Sequence, residues 1–259
     1  MDARRDGAYA SLIAGGTKGI GLAIALKLAS PGTHLFLNYH ADDAAANGAA
    51  VELRQKGATV HLLKEDIGTA AGARALIDRV AEATSRLDSI VHSAALPNPG
   101  QLACQDLGEV MAAINVGGLA LLYLVQPAMK LLGSGSTVLF LSGSAVDLVL
   151  PNHGALAAAK AVGECMIRYL AIECAPQGIN FNTLRLGPVD TGLFRSVRAA
   201  APAGTPKEVA PPPSAPGGRR LTAEDVAEAA AFLLSPQAAM IRGQSIMVDG
   251  GLNTTVRGR

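Results

Sequence analysis

Ala14-Gly15-Gly16-Thr17-Lys18-Gly19-Ile20-Gly21 is the stretch on which the reading of this chain turns. It is entered by a short apolar run, Ala8–Gly15, and left by an Ala/Leu-rich run, Ile20–Ala29, that Ser30-Pro31-Gly32 closes. The first run reads as a buried strand and the second as a helix. Glycines at 15, 19 and 21 let the backbone turn sharply and bring bare main chain close to a ligand. The free N–H groups at the start of the helix form an anion site. A glycine cluster alone says little. One set between a strand and a helix points to the pyrophosphate of a dinucleotide.

Outward from that loop, strand and helix alternate to the end of the chain. Leu35–Tyr39, Val60–Lys64, Ser89–His92, Ser136–Leu141, Asn180–Leu186 and Ser245–Val248 read as further strands. Ala44–Gly57, Ala71–Arg86, Leu107–Leu132, Leu156–Ala175 and Ala223–Leu234 read as helices, the last with Thr222 as its N-cap. This alternation predicts an α/β fold: a seven-stranded parallel sheet with helices on both faces. The length, 259 residues, suits one domain spanning 1–259. The Pro/Ala/Gly-rich segment 199–218 is too long for a plain connector and is expected to form a flexible loop on the substrate side.

Hydrophobic residues make up 49% and charged residues 17%, a globular composition. Lys+Arg 22 against Asp+Glu 21 gives a net charge of +1 with no like-charged block. That balance argues against nucleic acid and anionic membrane as partners. Cys104, Cys165 and Cys174 are too few and too irregularly spaced for a disulfide framework or a metal site. The N-terminus, Met1 to Ala10, has no apolar signal core, and runs such as Gly117–Val125 are too short to cross a bilayer. A cytoplasmic protein is expected.

Further motifs follow in order. Asp66-Ile67 comes after the third strand and His92-Ser93-Ala94-Ala95 after the fourth. Asn115 lies in Ile114-Asn115-Val116, and Lys160 lies in the helix after the fifth strand. Gly187-Pro188-Val189-Asp190-Thr191 follows the sixth strand, and Gly243-Gln244 and Val248-Asp249-Gly250-Gly251 close the chain. Together with the glycine loop these resemble the short-chain dehydrogenase/reductase family over roughly residues 8 to 252. The resemblance implies a single Rossmann-type domain and a nicotinamide cofactor. It implies that Gly15, Thr17, Lys18, Gly19, Ile20 and Gly21 hold the pyrophosphate side, and that Asp66 and Ile67 cap the adenine. Ser93 and Ala94 line the cofactor, Asn115 and Lys160 belong to the catalytic set, Lys160 also binds the cofactor ribose, and Gly187, Val189 and Thr191 hold the carboxamide. It also implies a homodimer or homotetramer through the helices Leu107–Leu132 and Leu156–Ala175.

The end of the second strand reads Asn38-Tyr39-His40, with Asp42 and Asp43 slightly late. A carboxylate at the strand end would bind ribose hydroxyls. Its absence leaves room for a 2′-phosphate, and Lys18, His40 and Asn38 are placed to receive one. The cofactor expected is NADP(H).

One position departs from the family. Four residues before Lys160, where the resemblance calls for tyrosine, stands Leu156. The serine position is Gly143, flanked by Ser142 and Ser144; a one-residue shift would restore a hydroxyl, and Ser144 is expected to supply it. Positioned acid–base catalysis is worth roughly 10²–10⁴ in rate, so ordinary ketone reduction is disfavoured. His153 and Asp147 are the candidate replacements. An iminium carbon would need no proton donor, and a carboxylate such as Asp147 would stabilise its charge. The loop Leu96-Pro97-Asn98-Pro99-Gly100 is similar to the PDPGW loop of fungal reductase/Diels–Alderases of indole-alkaloid biosynthesis. These features favour an NADP(H)-dependent enzyme of specialised metabolism. It would act on a bulky apolar small molecule, reducing a C=N bond or guiding a ring closure. A cofactor-binding pseudoenzyme and a carbonyl reductase with a relocated donor remain the alternatives.

Overall fold

The computed structural model describes residues 9–199 and 213–254. Most of the expected substrate-side loop, 200–212, lies outside the described residues. Seven parallel strands form one sheet: β1 (Tyr9–Ala14), β2 (Thr33–Tyr39), β3 (Thr59–Lys64), β4 (Ser89–His92), β5 (Thr137–Gly143), β6 (Asn180–Leu186) and β7 (Ser245–Val248). Their order is β3-β2-β1-β4-β5-β6-β7. The order reverses between β1 and β4. In such a sheet the usual ligand site lies at the carboxyl ends of the strands, beside that reversal.

Eight α-helices are described: α1 (Gly19–Leu28), α2 (Asp43–Gln55), α3 (Ala70–Ala83), α4 (Leu107–Ile114), α5 (Ala120–Ala128), α6 (Gly154–Glu173), α7 (Gly192–Ala199) and α8 (Ala223–Leu233). Strand residues alternate between two cores. Leu12, Phe36, Ile90, Phe140 and Phe181 pack under α3, α5 and α6. Ile13, Leu37, Val91, Leu139 and Leu184 pack under α1 and α8. Both faces of the sheet are covered, which is why the strands read as near-continuous apolar runs. Side chains satisfy the first turns of several helices. Asp42 accepts from the Ala45 N–H, Thr69 from Gly72 and Asp106 from Glu109. Thr222 and Asp225 cap α8 reciprocally.

Two differences from the sequence reading matter for the site. The stretch expected as one helix, 107–132, is helical over 107–128, but its middle is a π turn, Asn115–Leu119. The wide turn lies where α6 comes closest. A Cβ on Gly118 would stand 2.4 Å from the Ala159 carbonyl oxygen, and one on Gly117 would stand 3.0 Å from the Ala159 Cβ. The second difference is α7, which covers the cleft after Thr191 and was not read from the sequence. By length and composition the helix 107–128 is apolar enough to cross a membrane. In the fold it packs on α3 and α6, as a core helix does.

Candidate active site

The glycine loop forms a cradle of bare backbone. Gly15 (φ 74°) and Gly19 (φ 54°) sit in the left-handed region that glycine alone adopts freely. The Gly15 and Gly16 N–H groups donate to the Asn38 carbonyl at 3.1 and 3.2 Å, tying the loop to the end of β2. A Cβ on Gly15 would be 2.9 Å from the Ala94 backbone, and one on Gly21 would be 2.2 Å from the Gly15 oxygen. The cradle therefore holds its shape because it has no side chains. Ser93 donates its N–H to the Ala14 carbonyl at 2.9 Å, which presses the segment after β4 against the loop. These features fit a dinucleotide pyrophosphate.

The ribose side is more mixed. Lys18 reaches Asp42 at 2.9 Å and stays largely exposed. Asp42 is thus committed to Lys18 and to capping α2. Asp43 is paired with Lys64 at 2.6 Å and accepts from the Tyr39 hydroxyl at 2.8 Å. Neither carboxylate is free to claim ribose hydroxyls. His40 is exposed at the same rim. The expectation for Asn38 is revised. Its side chain is buried, and its amide donates to the carbonyls of Leu63 and Glu65 at 3.2 and 3.0 Å. Asn38 fastens β2 to β3 and anchors the loop through its own backbone. Asp66 accepts from the Gly68 N–H at 2.9 Å, and Ile67 is a core residue.

At the carboxyl ends of β5 and β6 lies a cleft of about 160 Å³. Ile20 from the glycine loop, Gly187, Val189 and Thr191 form one wall, and His153, the N-cap of α6, with Leu156 and Lys160 of that helix forms another. Leu193 and Phe194 of α7 line it too, and the Thr191 hydroxyl accepts from the Phe194 N–H at 3.2 Å. Residues 153, 156 and 160 stand on one face of α6 at helical spacing, so leucine occupies the middle of the wall.

Lys160 is the buried cation of this site. Its Nζ donates to the carbonyls of Ala94 at 3.4 Å and Gly117 at 3.5 Å and lies 4.9 Å from the centre of the Phe140 ring. Gly163 lets α6 lie on that ring, because a Cβ there would meet it at 2.1 Å. Burial pushes Lys160 down to about 8, with the Glu164 charge opposing. His92 stands beside Phe140, ring centres 5.3 Å apart. Burial and then the Lys160 charge hold His92 down at about 3, so it is neutral. Asn115 opens the π turn that carries Gly117 to Lys160.

Three residues expected in the catalytic set, Asn115, Ser144 and Asp147, are not among those that line the cleft. Asp147 forms an ion pair with Arg185, whose Nε and Nη2 also hold the buried Glu164 at 2.7 and 2.5 Å. The carboxylate expected to stabilise a substrate cation is therefore neutralised beside it. Ser144 opens a short turn and is not a lining residue, whereas Ser142 is. His153 does line the cleft, with its Nδ1 2.7 Å from the Pro151 carbonyl. The loop 96–100 docks onto the same rim: Gly100 bridges to His153 and donates to the Asn152 carbonyl at 3.3 Å. Sequence reasoning missed Phe140, Glu164 and Arg185. Glu164, one turn past Lys160, was legible from helical spacing. Arg185 was not, because only the pairing of β6 with β5 brings it there.

Comparison with known proteins agrees with this geometry. A family profile described as enoyl-(acyl carrier protein) reductase matches residues 14–253. The 1-cyclohexenylcarbonyl-CoA reductase of Streptomyces collinus is 33% identical, over 94% of this chain and 86% of its own length. The NADPH-dependent aldehyde reductase 2 of Arabidopsis thaliana is 29% identical, over 93% of this chain and 92% of its own. A short-chain dehydrogenase from Burkholderia cenocepacia, solved in complex with NADP, superposes with a TM-score of 0.83 at 27% identity, covering 96% of this chain and 100% of that one. With the glycine cradle, the sheet order and the α6 wall in place, this chain belongs to the short-chain dehydrogenase/reductase family of oxidoreductases.

Proposed function

We propose that the protein is an NADP(H)-dependent reductase that delivers hydride to an activated double bond, with a C=C bond conjugated to a thioester carbonyl as the favoured substrate class. The observation that carries this is Leu156. It fills the middle of the α6 wall between His153 and Lys160, where ketone reduction would need a phenol. The bare-backbone cradle fits the pyrophosphate, and Lys18 and His40, at a rim whose carboxylates Asp42 and Asp43 are already paired with lysines, fit a 2′-phosphate. The relative from Streptomyces collinus carries a name that describes reduction of such a conjugated thioester, which supports the substrate class.

When bound, the cofactor supplies the hydride. The rest falls on this chain. Gly187, Val189 and Thr191 form the wall against which a flat ring is held. Leu156, Leu186, Leu193 and Phe194 keep water from the reacting carbon and suit a bulky apolar substrate of specialised metabolism. His153 and Lys160 are the protonatable side chains that line the cleft.

Reduction of a C=N bond is the second reading, because an iminium carbon also needs no phenol. No carboxylate is among the lining residues, which favours the C=C reading over it and over a guided ring closure. Exposed Leu107, Met111, Tyr169 and Ile172 on α4 and α6 suit a homodimer or homotetramer. The three free cysteines suit a cytoplasmic enzyme.

The test mixes the protein and NADPH with three panels: enoyl thioesters, cyclic imines and ketones. Loss of reduced-cofactor absorbance is expected with the first panel. Turnover of ketones alone would overturn the proposal. Tight NADPH binding with no turnover of any panel would leave a cofactor-binding pseudoenzyme.

A further inference from the structure

We propose that Lys160 is itself the proton donor of this reaction, passing a proton from Nζ to the substrate carbon next to the one that receives hydride. This rests on the reductase reading above and goes beyond it by naming the donor. Three observations converge on Lys160.

The first is position. Lys160 lines the cleft but is only 9% exposed. The side chain one turn before it, Leu156, carries no proton, so Lys160 is the proton-bearing side chain that α6 itself contributes to the lining. The second is how weakly the ammonium is held. Its hydrogen bonds are the long ones to the Ala94 and Gly117 carbonyls, with the Phe140 ring below. Glu164, the carboxylate one turn further on, is turned away and held at 2.7 and 2.5 Å by Arg185. Asp147 grips the same guanidinium from the other side. Arg185 thus removes from Lys160 the ion pair that would make it a poor acid.

The third is the set of ionisable neighbours. β4 presents His92, which is neutral. α6 presents Glu164, flanked by Arg168, and β6 presents Arg185. β5 and the π turn contain no ionisable side chain. A buried ammonium in such surroundings gives up its proton far more readily than a solvated one. An acid that titrates near the working pH is the efficient kind. His153, the rival, sits at the mouth of the cleft with Nδ1 against the Pro151 carbonyl.

The step balances as follows. Hydride from NADPH adds to the β-carbon of the C=C bond, and the π pair moves onto the α-carbon and its carbonyl. The α-carbon takes the proton as the N–H bond of Lys160 breaks. The neutral amine left behind recovers a proton from solvent. One hydride and one solvent proton saturate the bond.

The experiment uses the full chain with NADPH and an enoyl thioester, together with NMR of ε-carbon-labelled lysines without substrate. Burial holds Lys160 down at about 8. The donor must be protonated, so kcat/KM should fall about tenfold per pH unit above that value. One lysine resonance should titrate at the same pH and be absent from Lys160→Arg. Arginine keeps the charge but cannot release its proton, so Lys160→Arg should lose about 10²-fold or more in kcat. Glu164→Gln, which leaves Arg185 paired with Asp147, should move the alkaline limb to lower pH and serves if Lys160→Arg does not fold. An alkaline limb that survives in Lys160→Arg, or that disappears in His153→Ala, would overturn the assignment. A lysine midpoint near the ordinary value of about 10.4 would do the same. Wild-type protein that turns over no enoyl thioester would instead sink the reductase reading, and the donor assignment with it.

Discussion

The glycine cradle and the α6 wall face each other across one cleft and are built from different material. The cradle is main chain. Gly15, Gly19 and Gly21 work because they lack a Cβ, and the loop is fastened through N–H groups and the Asn38 carbonyl. The wall is side chain. Leu156, Lys160, Glu164 and Arg185 set what the cleft can do through charge and proton content. The difference explains how a chain can keep its whole cofactor apparatus and still lose the phenol. The two halves share few atoms, so one can change while the other stays.

The largest test strikes the charge network of the wall. Arg185→Met leaves Glu164 buried and unpaired, and breaking a buried pair from one side costs about 3–5 kcal/mol. We expect a loss of that size in denaturant unfolding, with NADPH affinity of the folded fraction unchanged. A loss below about 1 kcal/mol, the range of a surface ion pair, would mean that the wall is not held by charge.

Next in size is Leu156→Tyr. It returns a phenol to the wall one turn before Lys160, and a positioned acid is worth about 10²-fold or more. Ketone reduction should appear or rise by about that factor, with NADPH affinity unmoved. A loss of about tenfold in affinity (roughly 1.4 kcal/mol) would show that wall and cradle are coupled and that the comparison fails.

The same contrast decided what was legible in the sequence. All seven strands were readable as short runs rich in apolar residues; the inner five are buried on both faces, while the edge strands β3 and β7 are partly exposed. Ile20 of the glycine loop, Lys160, His153, Gly187, Val189 and Thr191 stand in motifs that the sequence spells out locally, and they line one cleft. Backbone geometry writes itself into local sequence through glycine and through strand–helix alternation. The roles of Asp147 and Asn38 were not readable. Asp147 answers to Arg185 on β6, and Asn38 to the carbonyls at the end of β3. Both depend on strand pairing between distant residues. The π turn was hidden for a similar reason, since it is shaped by the approach of α6 at Ala159.

A third test concerns His92, which lies under both halves. Its folded value of about 3 is set first by burial and then by the Lys160 charge. The unfolded chain titrates near 6.5. As pH falls below that value the unfolded state takes up a proton that the folded state refuses. Stability is therefore full above about 6.5 and falls by about 1.4 kcal/mol per pH unit on the way down. At pH 5 the loss should be about 2 kcal/mol. His92→Asn cannot titrate and should be less acid-sensitive by that amount, whatever its stability at pH 7. Equal pH dependence in the two proteins would show that His92 is not held neutral.

The smallest test falls on the one part of the cradle that does use a side chain. Lys18 is exposed and shared with Asp42. An exposed ion pair contributes at most about 1 kcal/mol, so Lys18→Ala should weaken NADPH by about fivefold at most. NADH lacks the 2′-phosphate and should bind as before. The change also frees Asp42, whose carboxyl is held below its usual range by the Ala45 N–H and by Lys18. An uncompensated carboxylate at that rim repels the 2′-phosphate further, so the ratio of NADPH to NADH affinity is the quantity to measure. If both cofactors weaken equally, Lys18 serves the loop's fold and not its choice of cofactor. If neither weakens, recognition lies wholly in the backbone, and the cradle owes nothing to side chains.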